Sequence, residues 1–244
     1  MRSQNEVKRV QRLARQGLNQ CEISRATAIP RSTVRNWLAG QVPDFQARPH
    51  GPALDELPSD AYSYLFGLYL GDGWLTRHQR GVYRLGIALD AKYPRIIAGC
   101  VAAIRTVMPR NRVTVAKHPV HNYVCVHCYS KHWPALFPQH GKGLKHKRDI
   151  ILEPWQGRIL EVHLEQLLRG LIHSDGCRVI NRVMHRKYAY PRYMFSNRSD
   201  DIRAIFTGAC DELGIHWTTA NRYNVAVSRR ADVARLDTFI GPKA

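Results

Sequence analysis

Acidic residues are scarce in this chain. Only 19 Asp and Glu stand against 37 Lys and Arg, leaving a net charge of +18 and a pI near 10.1. A polyanion is the natural partner for such a surface, whether nucleic acid, ribosome or anionic membrane face. Long apolar runs are missing too: nothing approaches the ~20 residues of a membrane span, so no membrane partner is expected. The opening Met1-Arg2-Ser3-Gln4-Asn5-Glu6 lacks the apolar region of a secretion signal. These absences point to an intracellular, cytoplasmic or nucleoid-associated protein. Cysteine is sparse, with six residues at 21, 100, 125, 128, 177 and 210. That scatter does not make a disulfide framework in a chain this long, and free thiols are expected. Cys125-Val126-His127-Cys128, near His121 and His132, has no second Cys pair at ligand spacing. On a strand, residues three apart face opposite sides, so no zinc is expected there.

What the chain does have is 244 residues at 44% hydrophobic content, ample for a packed core. It also has two stretches that nearly repeat: Leu65-Phe66-Gly67-Leu68-Tyr69-Leu70-Gly71-Asp72-Gly73 and Leu168-Arg169-Gly170-Leu171-Ile172-His173-Ser174-Asp175-Gly176. Each reads as an apolar helix ending in an acid and then a helix-stopping glycine. Gly67 with Gly71, and Gly170 with Ser174, put small residues one turn apart on one face, where two helix backbones can touch. Such a pair sets Asp72 beside Asp175 at the same end. Two carboxylates repel, and each helix C-terminus adds partial negative charge, so the arrangement calls for a cation.

Residues 1–40 read as a separate unit. Val7, Val10, Leu13 and Ala14 recur at helical spacing and Gly17 ends that helix; a second helix from about Gln20 to Thr27 turns Ile23 and Ala26 inward. A third opens near Arg31 and carries Val34, Trp37 and Leu38 toward the others. The pattern resembles a helix-turn-helix of the resolvase or transposase kind, with Arg31, Ser32, Thr33, Arg35 and Asn36 on the reading helix. Prolines and glycines at 43, 49, 51, 52 and 58 make residues 41–58 a linker. Ser59 or Asp60 is then expected to cap the first repeated helix.

After each repeated helix the same order follows. The first half (59–150) gives runs at Trp74 to His78 and Val82 to Leu89, a helix at Pro94 to Val107, runs at Arg112 to Lys117 and Asn122 to Tyr129, and a short helix at Trp133 to Phe137. The second half (151–244) gives runs at Cys177 to Val183 and Tyr188 to Phe195, a helix at Asp200 to Leu213, runs at His216 to Ala220 and Tyr223 to Ser228, and a helix at Ala231 to Phe239. An α+β fold is therefore expected: a pseudo-symmetric, duplicated αββαββα unit behind a small all-α domain, with the repeated helices as its axis.

These residues resemble the two-motif form of the LAGLIDADG (dodecapeptide) homing endonucleases. The nonapeptides agree with each other at five of nine positions, and the resemblance covers about residues 60–244. The first acid of the family pattern is replaced by Leu70 and His173, whereas the acid next to the terminal glycine is kept twice. The resemblance implies a monomer that saddles double-stranded DNA and cuts it with Mg²⁺. Asp72 and Asp175 are the implied catalytic acids and metal ligands, with main-chain oxygens of Gly71 and Ser174 beside them, a hard oxygen set suited to Mg²⁺. Lys145 and Lys243 become the catalytic lysines, with Lys142 as runner-up for the first, and Asp90, Ser196 and Asn197 hold the water-ordering position. Two four-stranded sheets over the major groove would present Arg77, Arg80, Arg84, Arg112, Lys117, Arg182, Arg186, Arg192, Arg222 and Arg229 to DNA. Two other readings stay open. One is a sequence-specific transcription regulator that uses the scaffold for docking alone; the other is an RNA-splicing cofactor, against which the helix-turn-helix argues.

Overall fold

The periodicities of the sequence become ten α-helices and eight strands among the residues that the computed structural model describes, 4–42, 56–183 and 188–241. They form two units, Met1–His50 and Gly51–Ala244.

In the smaller unit, α1 (Gln4–Arg15), α2 (Gln20–Thr27) and α3 (Arg31–Leu38) enclose Val7, Val10, Ile23, Ile29, Val34 and Trp37. Gly17 turns the chain at φ +89° after α1. Asn19 then starts α2 with a capping box: its side chain accepts from the Cys21 and Glu22 amides while Glu22 accepts from the Asn19 amide. Ala28 closes α2 in the left-handed region at φ 54°, where a glycine is the cheaper residue. Two sequence expectations fail here. Ala26 is exposed, because the turn at Ala28 swings Ile29 into the core, where the Ser24 hydroxyl donates to its carbonyl at 2.6 Å. Leu38 is also exposed, lying one residue past the buried Trp37 and hence about 100° around the helix.

In the larger unit the duplication is explicit. The first half runs α4 (Ser59–Asp72), β1 (Gly73–Arg77), β2 (Tyr83–Asp90), α5 (Pro94–Val107), β3 (Val113–Lys117), β4 (Tyr123–Ser130) and α6 (Trp133–Leu136). After α7 (Pro154–Val162) the second runs α8 (Leu164–Asp175), β5 (Gly176–Val183), β6 (Tyr188–Ser196), α9 (Asp200–Glu212), β7 (Thr218–Asn221), β8 (Asn224–Val227) and α10 (Arg230–Ile240). Each half is a four-stranded antiparallel sheet, ordered β1-β2-β4-β3 and β5-β6-β8-β7. The pairings Gly73 with Ile87 and Gly176 with Phe195 fix the correspondence between them. Alternate strand residues such as Leu85, Ile87, Tyr193 and Phe195 are buried in one core with the helices. The sequence did not signal α7, nine residues opened by a proline and a Glu153–Gln156 capping box, too short for a periodic pattern to stand out. Neither Ser59 nor Asp60 caps α4: Pro58 takes the cap position, and the Ser59 hydroxyl instead meets His163 Nε2 at 2.7 Å. Of the expected linker, residues 43–55 lie outside the described residues, while Leu57 is already part of the core.

α4 is buried at every position from Tyr62 to Leu70, as a helix enclosed on all sides must be. Its closest neighbour is α8. A methyl group added to Gly67 would lie 2.6 Å from the Leu167 carbonyl oxygen and 2.8 Å from the Leu171 nitrogen; one on Gly170 would lie 2.3 Å from the Tyr64 oxygen. Backbone therefore touches backbone, and no side chain fits between. The terminal glycines follow the two helix ends for a steric reason. Gly73 (φ −97°) and Gly176 (φ −115°) are extended, not left-handed. They are glycines because a side chain would strike the helix just left, 2.6 Å from Tyr69 Cα and 2.7 Å from Ile172 Cα.

Gly67→Ala and Gly170→Ala should each lower stability by roughly 1–3 kcal/mol, since main chain cannot yield as a side chain can. Gly208→Ala, in α9 where an added methyl meets nothing within 4 Å, should instead stabilise, by about 0.5–1 kcal/mol. Chemical denaturation of the three variants reads both signs.

Candidate active site

Asp72 and Asp175 are the last residues of α4 and α8, and the glycine contacts bring those ends together. A methyl on Gly71 would lie 2.3 Å from Ser174 Oγ and 3.0 Å from Asp175 Cγ. The Ser174 hydroxyl turns back along its own helix toward the Gly170 and Leu171 carbonyls, both at 3.0 Å.

Lys145 sits on this junction. Its ammonium donates to the carbonyls of Tyr69, which also accepts the Gly73 N–H, and of Leu70 (3.0 Å) and Gly71 (3.0 Å), all in the last turn of α4. A cation at a helix C-terminus is also favoured by the dipole. Burial pushes this amine down to about 8, against the attraction of Asp175 and Asp72 and with the help of Arg148. Arg148 donates from one guanidinium nitrogen to the carbonyls of Gly141 (2.7 Å) and Gly143 (3.0 Å), holding the loop that carries Lys145. Gly143 has φ +81°, a backbone state that suits glycine.

A cleft of about 440 Å³ opens here, lined by Asp175, Lys145, Arg148, Trp74, Asn197 and Arg198 among others. Asn197 donates to Asp175 Oδ2 at 2.6 Å, while its amide oxygen accepts the Ser199 N–H at 2.8 Å and its carbonyl accepts Arg203 at 2.6 Å. The side chain can point only one way. Ser196, also on the cleft wall, is exposed.

On the other side, Asp72 shares a smaller cleft of about 250 Å³ with Asp90, Lys92, Tyr93, His173 and Ser174. Asp90 is paired with Lys92 at 3.0 Å. The strand register makes Asp90 the counterpart of Arg198, since both lie three residues past the paired Ile87 and Phe195. The two clefts are therefore chemically unlike, one rich in cations and one holding two acids. His173 is buried between Tyr64 (Nδ1, 2.9 Å) and the Ile240 carbonyl (Nε2, 3.0 Å). A carbonyl only accepts, so Nε2 carries the proton and Tyr64 donates to Nδ1.

The remaining candidates are spread over both units. Arg31, Ser32, Arg35 and Asn36 are exposed on α3, with Thr33 partly covered. Arg84 and Arg192 stand on the sheet faces turned away from the core, since their neighbours Leu85 and Tyr193 face inward. Alternation puts Arg77 on the face of Leu75, Lys117 on that of Val113, and Arg182 on that of Arg178, which pairs with Asp237 at 2.8 Å. Arg80 occupies the β1–β2 turn at φ 61°, Arg112 precedes β3, Arg222 lies over the Tyr223 ring at 5.3 Å, and Arg229 precedes α10. Lys142 is exposed. Lys243 and Arg186 lie outside the described residues. Sequence reasoning missed Arg148 and Arg198; the glycines at 141 and 143 marked the loop, but nothing in spacing gave its partner.

Among the described residues no group of three or more His, Cys, Asp and Glu side chains gathers as a metal cage. On β4, Cys128 is buried and Cys125 half-buried. The carboxylates of Asp72 and Asp175 with nearby main-chain oxygens do fit a hard cation such as Mg²⁺, which takes one or two carboxylates and completes its shell with water and phosphate. The Gly71 carbonyl already accepts from Lys145.

Because folding lowers the Lys145 pKa from 10.5 to about 8, the native state sheds that proton first, and unfolding then takes one up at intermediate pH. In chelator, stability should accordingly gain from this residue as pH rises from 8 toward 10. Lys145→Met should remove that gain, which urea midpoints of both proteins at pH 7.5 and 9.5 will measure.

No protein-family model matches the sequence, and no curated protein matches it. Solved structures do resemble it. The crystal structure of I-DmoI in complex with DNA and Mn superposes with a TM-score of 0.52 at 16% identity, covering 75% of this chain and 98% of that one. Mesophilic variants of the homing endonuclease I-DmoI give 0.53 at 15%, covering 75% and 91%. The LAGLIDADG meganuclease I-AabMI bound to uncleaved DNA gives 0.45 at 10%, covering 73% and 82%. With its duplicated αββαββα halves joined along α4 and α8, the chain has a LAGLIDADG-type fold.

Proposed function

We propose that this protein is a site-specific double-strand DNA endonuclease of the LAGLIDADG homing type, dependent on Mg²⁺ or a similar divalent ion. The observation that carries the reading is the convergence of Asp72 and Asp175 at one helix junction, in a protein of net charge +18. The I-DmoI structures with DNA and Mn, and with target DNA in the presence of Mg, support the same substrate and a divalent cation.

In this reading each half covers one DNA half-site, so a single chain suffices and the protein acts as a monomer. Residues 59–150 and 151–244 are the two halves, and residues 1–40 add a helix-turn-helix contact through α3. Asp72 and Asp175 would hold the ion, which offsets phosphate charge and makes water nucleophilic when bound. Lys145 presents a cation, or its free amine above pH 8, beside Asp175. Asn197 keeps the Asp175 carboxylate turned to the cleft. Asp90 in the smaller cleft and Ser196 in the larger one are assigned to order water although register does not make them counterparts, and Lys243 is assigned to the second half by its place after α10.

The three-helix unit favours a second reading, a DNA-binding regulator in which the saddle only docks. A plasmid library of randomised inserts, incubated with protein in Mg²⁺ or in EDTA, separates the two. Mg²⁺-dependent linearisation of a subset is expected. Asp72→Asn and Asp175→Asn should each reduce cleavage by at least about 100-fold, roughly the cost of losing one catalytic charge contact, while binding changes little. Tight binding with no cuts would leave the regulator standing.

A further inference from the structure

Arg84 and Arg192 are structural counterparts. Arg84 pairs across the sheet with Thr76, the third residue past Gly73; Arg192 pairs with Val179, the third past Gly176. Each precedes by three the residue that faces the motif glycine, Ile87 or Phe195. Both are half-buried on the outward face of the second strand of their sheet, and each has a buried Nε–H with no hydrogen-bond partner among the described residues. No ion pair engages either guanidinium among those residues. An uncommitted buried donor is costly in the free protein, and an incoming acceptor would relieve it.

Around them the two faces diverge. Thr76 is matched by Val179, Gly86 by Met194, and Ala88 by Ser196. Gly86 is bare because the Trp74 ring covers it, 2.7 Å from where a methyl would stand. The arginine is thus a shared polar feature on surfaces that otherwise differ. Resting on the DNA-binding reading above, we infer that Arg84 and Arg192 each read one guanine, at positions related by the pseudo-dyad. The planar fork of arginine matches the O6 and N7 acceptors of guanine in the major groove. The target then carries one G·C pair placed symmetrically in both half-sites, set among neighbouring positions that are not palindromic.

Selection of bound duplexes from a random pool, with the full chain in EDTA so that nothing is cut, tests this. The expected consensus holds guanine at two symmetric positions. Arg84→Gln should relax one of them and Arg192→Gln the other, each lowering discrimination there by on the order of 10- to 100-fold. The lysine variants decide between base and backbone contact, because lysine keeps the charge but loses the fork. Arg84→Lys and Arg192→Lys should lose the guanine preference too. If instead the glutamine variants weaken all sequences equally and the lysine variants recover that affinity with base preference unchanged, the arginines clamp phosphate and the inference is overturned. A pool from which no duplex is retained would overturn the DNA-binding reading itself, and duplexes retained with no enriched sequence would overturn the inference. Circular dichroism of each variant checks that its fold is unchanged.

Discussion

Everything in the larger unit depends on how closely α4 and α8 approach. Main chain meets main chain at Gly67 and Gly170, so these two positions set the spacing of the halves, and through it the separation of Asp72 and Asp175. A fold that sets two half-buried carboxylates at paired helix ends accumulates negative charge, from the acids and from both dipoles. The structure offsets that charge at one end with Lys145, held by three carbonyls of α4, and steers Asp175 with Asn197. Packing and site chemistry are consequences of one contact.

The duplication gives the site a symmetry that the residues then break. Register equates Arg198 with Asp90, and Ser196 with Ala88, so matched backbone carries unmatched chemistry. One cleft is cationic and asparagine-lined; the other brings a second acid beside the first. His173 illustrates the same drift, since it spends both ring nitrogens tying α4 to the end of α10.

Much of this was legible in the sequence, because its signals are local. Strand alternation and helix periodicity placed α5 at Pro94–Val107 and α2 at Gln20–Thr27. The small residues of the two nonapeptides announced the helix pair. What stayed hidden depends on contacts between distant residues. Nothing near Arg148 reveals that it holds the 141–143 loop, and nothing near Asn197 reveals its bond to Asp175. The motif glycines read as helix stops, but the reason for them is the space beside Tyr69 and Ile172, visible only once the strand folds back. Short α7 escaped because its start is written in a proline and a capping box, not in a repeat.

On the proposed reading, the joined ends of α4 and α8 hold a divalent ion on DNA. Replacing that ion with Fe²⁺ and adding ascorbate and peroxide generates hydroxyl radicals at the metal, which cut the polypeptide within a few ångströms. Mass spectrometry of the DNA-bound protein should find cuts clustered at residues around 72 and 175, suppressed by excess Mg²⁺. Cuts elsewhere, or none above the level seen without DNA, would contradict the account.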